Sequence, residues 1–179
     1  MTHAKSQGIT DMSGAGYRTV FGSLDDYVKG DLEIIQDNPK YYAFSNVFDV
    51  AAQSQPYEKV VVALNLGYVL EALRMEGTSG WYAASHDEFA IVLDGVVEID
   101  LVKLADPDSV APPDKQGSVR VAGEPLGRRM GHVKARRGHQ VLLPKGAAYR
   151  LRASERGVVL LQTILGELSV QKWPQICYR

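Results

Sequence analysis

Between residues 59 and 170 the chain alternates short β-branched or aliphatic runs with glycine, proline and polar breaks. Lys59-Val-Val-Val-Ala-Leu is a β-branched run suited to a buried strand. Gly67-Tyr-Val-Leu-Glu-Ala-Leu-Arg74 has apolar spacing that fits a helix as well. It is read as a strand because it leads directly into the segment Gly80–Gly95. Phe89-Ala-Ile-Val-Leu and Val96-Val-Glu-Ile-Asp-Leu-Val flank Asp94-Gly95. That pair predicts a tight type I′ hairpin, in which both turn residues take positive φ. Ala105 to Gly117 carries three prolines and reads as a surface loop. Ser118-Val-Arg-Val, His132-Val-Lys-Ala, Gln140-Val-Leu-Leu, Tyr149-Arg-Leu-Arg, Gly157 to Ile164 and Leu168 to Trp173 continue the strand series. Upstream, Leu32-Glu-Ile-Ile and Tyr41-Tyr-Ala-Phe are short strand candidates. Ser23 to Gly30 has a capping Ser, acids in its first turn and a Lys-Gly stop, which predicts one short helix. Many short strands and little helix predict an all-β fold, a closed double-sheet jelly-roll barrel. Residues 1–20 are small and polar and read as an N-terminal arm. Residues 21–179 read as a single domain.

The length of 179 residues suits one domain with a sizeable core. A net charge of −1 gives no electrostatic drive towards nucleic acid or an anionic membrane. No apolar run is long enough to span a bilayer, and the N-terminus has no signal-like apolar region. Cys177 is the single cysteine, so an internal disulfide is excluded and a cytoplasmic setting is expected.

Two segments carry a familiar spacing. Gly80-Trp-Tyr-Ala-Ala-Ser-His-Asp-Glu-Phe-Ala-Ile-Val-Leu-Asp-Gly95 ends in Glu-x6-Gly, from Glu88 to Gly95. Gly138-His-Gln-Val-Leu-Leu-Pro-Lys-Gly-Ala-Ala-Tyr149 keeps Gly-x5-Pro-x-Gly-x2. Together they resemble the two cupin motifs, whose metal-binding members take two His and a Glu from the first and a His from the second. Here the two His positions fall on Trp81 and Ala83, or on Tyr82 and Ala84, and the last falls on Tyr149. The resemblance implies a retained barrel with a dismantled metal site, and so a partner subunit rather than an independent metalloenzyme.

The residues themselves allow several chemistries. A facial site of two His and one carboxylate needs three convergent ligands. His86 and Glu88 lie two apart on one strand and can face the same way. His139 stands on the wrong side of the Pro-x-Gly turn, and His132 earlier still. The commoner role for His86 and Glu88 is hydrogen bonding inside the barrel or at its mouth. A Tyr149 phenol, with an ordinary pKa of about 10, is a poor metal ligand. It reads as a packed ring whose hydroxyl finds a polar partner, with a pocket-lining hydroxyl as the alternative. Trp81 and Tyr82 are consecutive, so one points in and the other out. They are either core or an aromatic wall at an interface or substrate pocket. Gly127 to Gly138 is the one basic cluster, read as a charge-protected strand edge, with a salt-bridged subunit contact second. No phosphate loop, nucleophile elbow or nucleophilic role for Cys177 is indicated.

Longer strings are more specific. Phe21-Gly-Ser-Leu-Asp-Asp-Tyr-Val-Lys-Gly-Asp-Leu-Glu-Ile-Ile-Gln, Tyr41-Tyr-Ala-Phe-Ser-Asn-Val-Phe-Asp-Val-Ala, Pro56-Tyr-Glu-Lys-Val-Val-Val and Trp81-Tyr-Ala-Ala-Ser-His-Asp-Glu-Phe resemble the small subunit of two-subunit hydroquinone 1,2-dioxygenases. That resemblance implies a bacterial ring-cleaving enzyme that opens hydroquinone with O2 to 4-hydroxymuconic semialdehyde. It implies an α2β2 heterotetramer whose Fe(II) and ligands belong to the large subunit. This chain then binds no metal and supplies no catalytic residue. It covers the partner's site, with Trp81 and then Tyr82 as the expected aromatic wall, and His86, Glu88 and Tyr149 as remnants of a cupin site. The alternatives are a stand-alone metallocupin with a rearranged site at His86, Glu88 and another His, or a metal-free ligand-binding cupin.

Overall fold

The computed structural model describes residues 23–27 and 45–173. The elements run α1 (Val47–Gln53), β1 (Lys59–Asn65), β2 (Tyr68–Thr78), β3 (Trp81–Ala84), β4 (Glu88–Asp94), β5 (Val96–Leu104), α2 (Pro107–Val110), β6 (Ser118–Val121), β7 (Gly127–Arg136), β8 (Gln140–Leu143), β9 (Ala147–Ile164) and β10 (Ser169–Val170). The ten strands form one continuous hydrogen-bonded system. It curls into the jelly-roll barrel of a cupin, as the strand pattern and the two motifs predict.

β9 is the spine. Its first half pairs with β5 and β3, and its second half with β4 and β2. Four neighbours on one strand are possible because β9 is 18 residues long, and its register with β2 breaks between Ala153 and Gly157. A Cβ at Gly157 would meet the Asp94 carbonyl oxygen at 2.6 Å. At that crossing β4 ends and β5 begins. Period-two burial fixes which side chains enter the barrel: Glu88–Asp94 alternates buried and half-buried along its whole length. Leu73, Met75, Tyr82, Val92, Ile99, Leu143, Tyr149, Leu151 and Leu161 belong to the interior cluster. Two further clusters lie outside it. One groups Trp81, Ala83, Leu104, Ala111 and Ala148; the other groups Val50 of α1 with Val60, Val62 and Ala72.

Three local expectations are corrected. Asp94-Gly95 is not a hairpin turn. Only Gly95 takes positive φ (75°), and β4 and β5 pair with β9 rather than with each other. The Asp-Gly signal marks the place where one line of chain passes from the second half of β9 to the first. The tight hairpin joins β1 to β2, where Asn65 pairs with Tyr68 and Leu66 adopts φ 57°. The described part of the expected helix, Ser23 to Tyr27, forms bends instead. Its Ser23 hydroxyl still accepts from the Asp26 amide, so the capping chemistry makes a turn without a helix. The helix lies later, at Val47–Gln53, where the Asn46 side chain accepts from the Phe48 and Asp49 amides. The Ala105–Gly117 loop contains the four-residue α2. The arm 1–20 and the strands expected at Leu32–Ile35 and Tyr41–Phe44 lie outside the described residues.

Candidate functional site: a buried ionic network inside the barrel

Six strands each place polar side chains in the barrel interior: Lys59 on β1, Glu71 on β2, Tyr82 on β3, Glu88 on β4, Ser118 on β6, and Tyr149 and Thr163 on β9. Lys59, Glu71 and Glu88 are 3, 1 and 0% exposed, a depth at which a charge persists only with partners. The partners form a chain of donors with a consistent direction. The Lys59 ammonium donates to the Ser118 hydroxyl (2.5 Å) and to the Tyr149 hydroxyl (3.2 Å). Those hydroxyls donate onward to the two Glu88 oxygens, at 2.6 and 2.7 Å. Thr163 donates to Glu88 Oε1 at 2.5 Å, and His86 Nε2 lies 2.9 Å from the Thr163 hydroxyl. A carboxylate only accepts, so three hydroxyl donors suit an ionised Glu88. A hydroxyl that donates to Glu88 keeps lone pairs with which to accept a hydrogen bond from behind. Lys59 supplies it on one side and His86 Nε2–H on the other.

The surroundings fix the protonation states that this scheme needs. Burial and the Glu88 carboxylate push the Tyr149 phenol well above 10, so it stays a donor. Burial holds the His86 imidazole below its usual range against the raising influence of Glu88 and Asp87. It is therefore neutral at pH 7; since Thr163 donates to Glu88, Nε2 is the nitrogen placed to donate to Thr163, and Nδ1 is buried without a partner among the described residues. Glu71 stands on the other side of Lys59: burial raises its pKa, Lys59 3.9 Å away opposes that, and Ser169 donates to its Oε1 at 2.6 Å. The aromatic rings complete the cage. Lys59 Nζ sits 4.8 Å from the Tyr82 ring centre, and the Tyr82 and Tyr149 rings are 5.8 Å apart.

The structure brings His86, Glu88, Tyr149 and Tyr82 together and leaves Trp81 apart. Tyr82 points in, paired in register with Tyr149. Trp81 points to the outer face of the sheet, where the Arg150 guanidinium lies 4.5 Å from its ring centre and Glu124 accepts from its indole N–H at 3.1 Å. There it walls a groove of about 390 Å³ shared with Asp100, Glu124, Arg129, Arg150 and Arg152. Burial opposes ionisation of Asp100, but hydrogen bonds and charge from Arg152 and Arg150 hold its carboxyl below the usual carboxylate range. His132 and His139 are exposed and outside the network. Sequence reasoning missed Lys59, Glu71, Ser118 and Thr163. The available signal was an ionisable residue inside each of two strongly apolar strands, at Lys59-Val-Val-Val and Val-Leu-Glu71-Ala-Leu.

Comparison with solved structures gives two similar chains. A chain of hydroquinone 1,2-dioxygenase PnpCD, in a complex with Cd2+ and 4-hydroxybenzonitrile, is 53% identical (TM-score 0.86). The match covers 93% of this chain and 100% of that one. A chain of hydroquinone 1,2-dioxygenase from Sphingomonas sp. TTNP3 with 4-hydroxybenzoate bound is 50% identical (TM-score 0.86), covering 90% and 97%. A longer chain of PnpCD, from a complex with Fe3+, shares the fold at 11% identity (TM-score 0.58). The match spans 81% of this chain but only 40% of that one. PnpCD thus contains two chain types of this fold, one the size of this chain. No protein-family model matches the chain, and neither does a curated protein sequence.

Proposed function

Because this chain belongs to the hydroquinone 1,2-dioxygenase family, we propose that it is the small, metal-free subunit of a cytoplasmic enzyme that opens hydroquinone with O2 to 4-hydroxymuconic semialdehyde. The observation that carries this reading is the Lys59 ammonium at the heart of the barrel. Tyr149, at the motif position of the last cupin ligand, is packed with Tyr82 and bonded to Glu88, and the Lys59 ammonium donates to its hydroxyl and to that of Ser118. Glu88 has both oxygens committed to hydroxyl donors, and His86 reaches it only through Thr163. Among the described residues no three His, Cys, Asp or Glu side chains gather as a metal site. This donor set does not fit iron, so no step of the reaction is routed through it. The Fe(II) and its ligands are assigned to the longer partner chain of an α2β2 assembly.

The work of this chain is then to bind and cover. Residues 21–179 are assigned to a single cupin domain and residues 1–20 to an arm for the partner. On the outer face, the Trp81 ring packs against Arg150 and donates to Glu124, with 7% of the residue exposed along the groove, and the Asp100–Arg150–Arg152 ion pairs fix that arrangement. Such a preformed aromatic surface can close a hydroquinone-sized pocket and keep water out without moving. Trp81→Ala in the assembled enzyme is expected to raise the hydroquinone KM or lower kcat by about tenfold or more, as loss of a buried aromatic anchor does. Unchanged values of both in steady-state oxygen uptake would remove Trp81 from the wall.

A further inference from the structure

We propose that the outer edge of β7 docks an acidic extended segment of the longer partner chain; this rests on the subunit reading above. β7 runs ten residues and pairs only with β5 among the described residues, so among these its other side carries no strand partner. Nine of its ten residues are exposed or half-buried, Ala135 being the exception. Its cations divide into two groups. Lys134 pairs with Glu98 on the neighbouring strand, and Arg137 just beyond β7 pairs with Asp94. Arg128, Arg129 and Arg136 have no acidic side chain within ion-pair reach among the described residues.

Charge alone would be the ordinary protection of a bare edge. Protection does not account for the apolar residues interleaved with it: Leu126, Met130 and Val133 are 84, 49 and 37% exposed. Apolar anchors between unpaired arginines describe a surface awaiting a partner with carboxylates and aliphatic side chains in alternation. A second copy of this chain is disfavoured as that partner. Two-fold pairing of β7 with itself would set this basic strand against its own basic copy, and like charges face to face are costly. A bulge at Met130, where the register with β5 slips between Leu101 and Val102, turns that side chain away from the regular pleat.

The test uses the full chain co-produced with the longer hydroquinone dioxygenase chain of the same cell. The triple variant Arg128→Glu, Arg129→Glu, Arg136→Glu should keep the near-ultraviolet dichroism and Tm of the isolated wild-type chain. It should bind the longer chain at least about 100-fold more weakly, because each contact becomes a like-charge one. The matching triple Lys variant should bind nearly as wild type, and Met130→Asp should weaken binding about tenfold or more. Wild-type affinity in the charge-reversed triple would overturn the docking site while leaving the subunit reading intact. Failure of the wild-type chain itself to associate would overturn both. Loss of Tm in the isolated triple variant would show the edge to be covered from within the chain. A change in self-association alone would make the occupant a second copy. Either result would contradict the partner proposed.

Discussion

Lys59 is the residue on which the barrel interior depends. Among the described residues its ammonium is the one buried cation beside two buried carboxylates, so removing it strands Glu88 and Glu71 without a counter-charge. Breaking a buried pair by deleting one partner typically costs about 3–5 kcal/mol. Lys59→Met, close in length and without charge, is expected to lose that much in urea unfolding; a loss under 1 kcal/mol would mean the network carries no weight. The pH dependence follows from the same groups. Burial lowers the folded-state pKa of His86 below 6.5, so the folded state resists protonation there. Its contribution is present above pH 6.5 and is lost as pH falls from 6.5 through the folded value. At the alkaline end, burial pushes Tyr57 up to about 12 and Tyr149 well above 10. Their contribution is complete below pH 10 and is lost as pH rises beyond it, so phenolate absorbance should lag behind that of the exposed tyrosines until unfolding. A smooth titration of every tyrosine near pH 10 in the folded protein would contradict the buried geometry. Glu88 and Tyr149 were legible in the sequence because motif spacing marks their positions. Lys59 was legible only as an ionisable residue heading an apolar run, because its partners Ser118 and Tyr149 lie 59 and 90 residues away and nothing local names them. Alternation said that one of Trp81 and Tyr82 points inward, and only the pairing of β3 with β9 says which.

At the level of elements, β9 decides the architecture, and Gly157 allows it to. A methyl at that position would meet the Asp94 carbonyl at 2.6 Å and the Met75 methyl at 2.9 Å, with backbone on one side unable to yield cheaply. Gly157→Ala is expected to destabilise by about 1–3 kcal/mol through overpacking, read by thermal or urea unfolding. The same substitution at Gly123, where nothing lies within 4 Å, tests positive φ alone and should cost about 1 kcal/mol. Equal losses at the two sites would mean that the crossing is not tight. The strands themselves were legible from β-branched runs and period-two burial. Their connectivity was not, and the Asp94-Gly95 dipeptide shows why. A strong local turn signal is satisfied as well by a passage between two halves of a long neighbour as by a hairpin, and the distant β9 makes that choice.

For the molecule as a whole, one barrel carries an interior held by the Lys59 cation and an outer surface on which the Trp81 face and the β7 edge, with Arg128, Arg129 and Arg136 unpaired among the described residues, are the proposed contacts with a partner. The most direct test is metal content and oxygen uptake on hydroquinone, measured on this chain alone after anaerobic Fe(II) loading and again after reconstitution with the longer chain. The account predicts neither bound iron nor uptake in the first sample, with both appearing in the second and the iron following the longer chain on separation. Stoichiometric iron with uptake by this chain alone would contradict it and make His86 and Glu88 ligands after all.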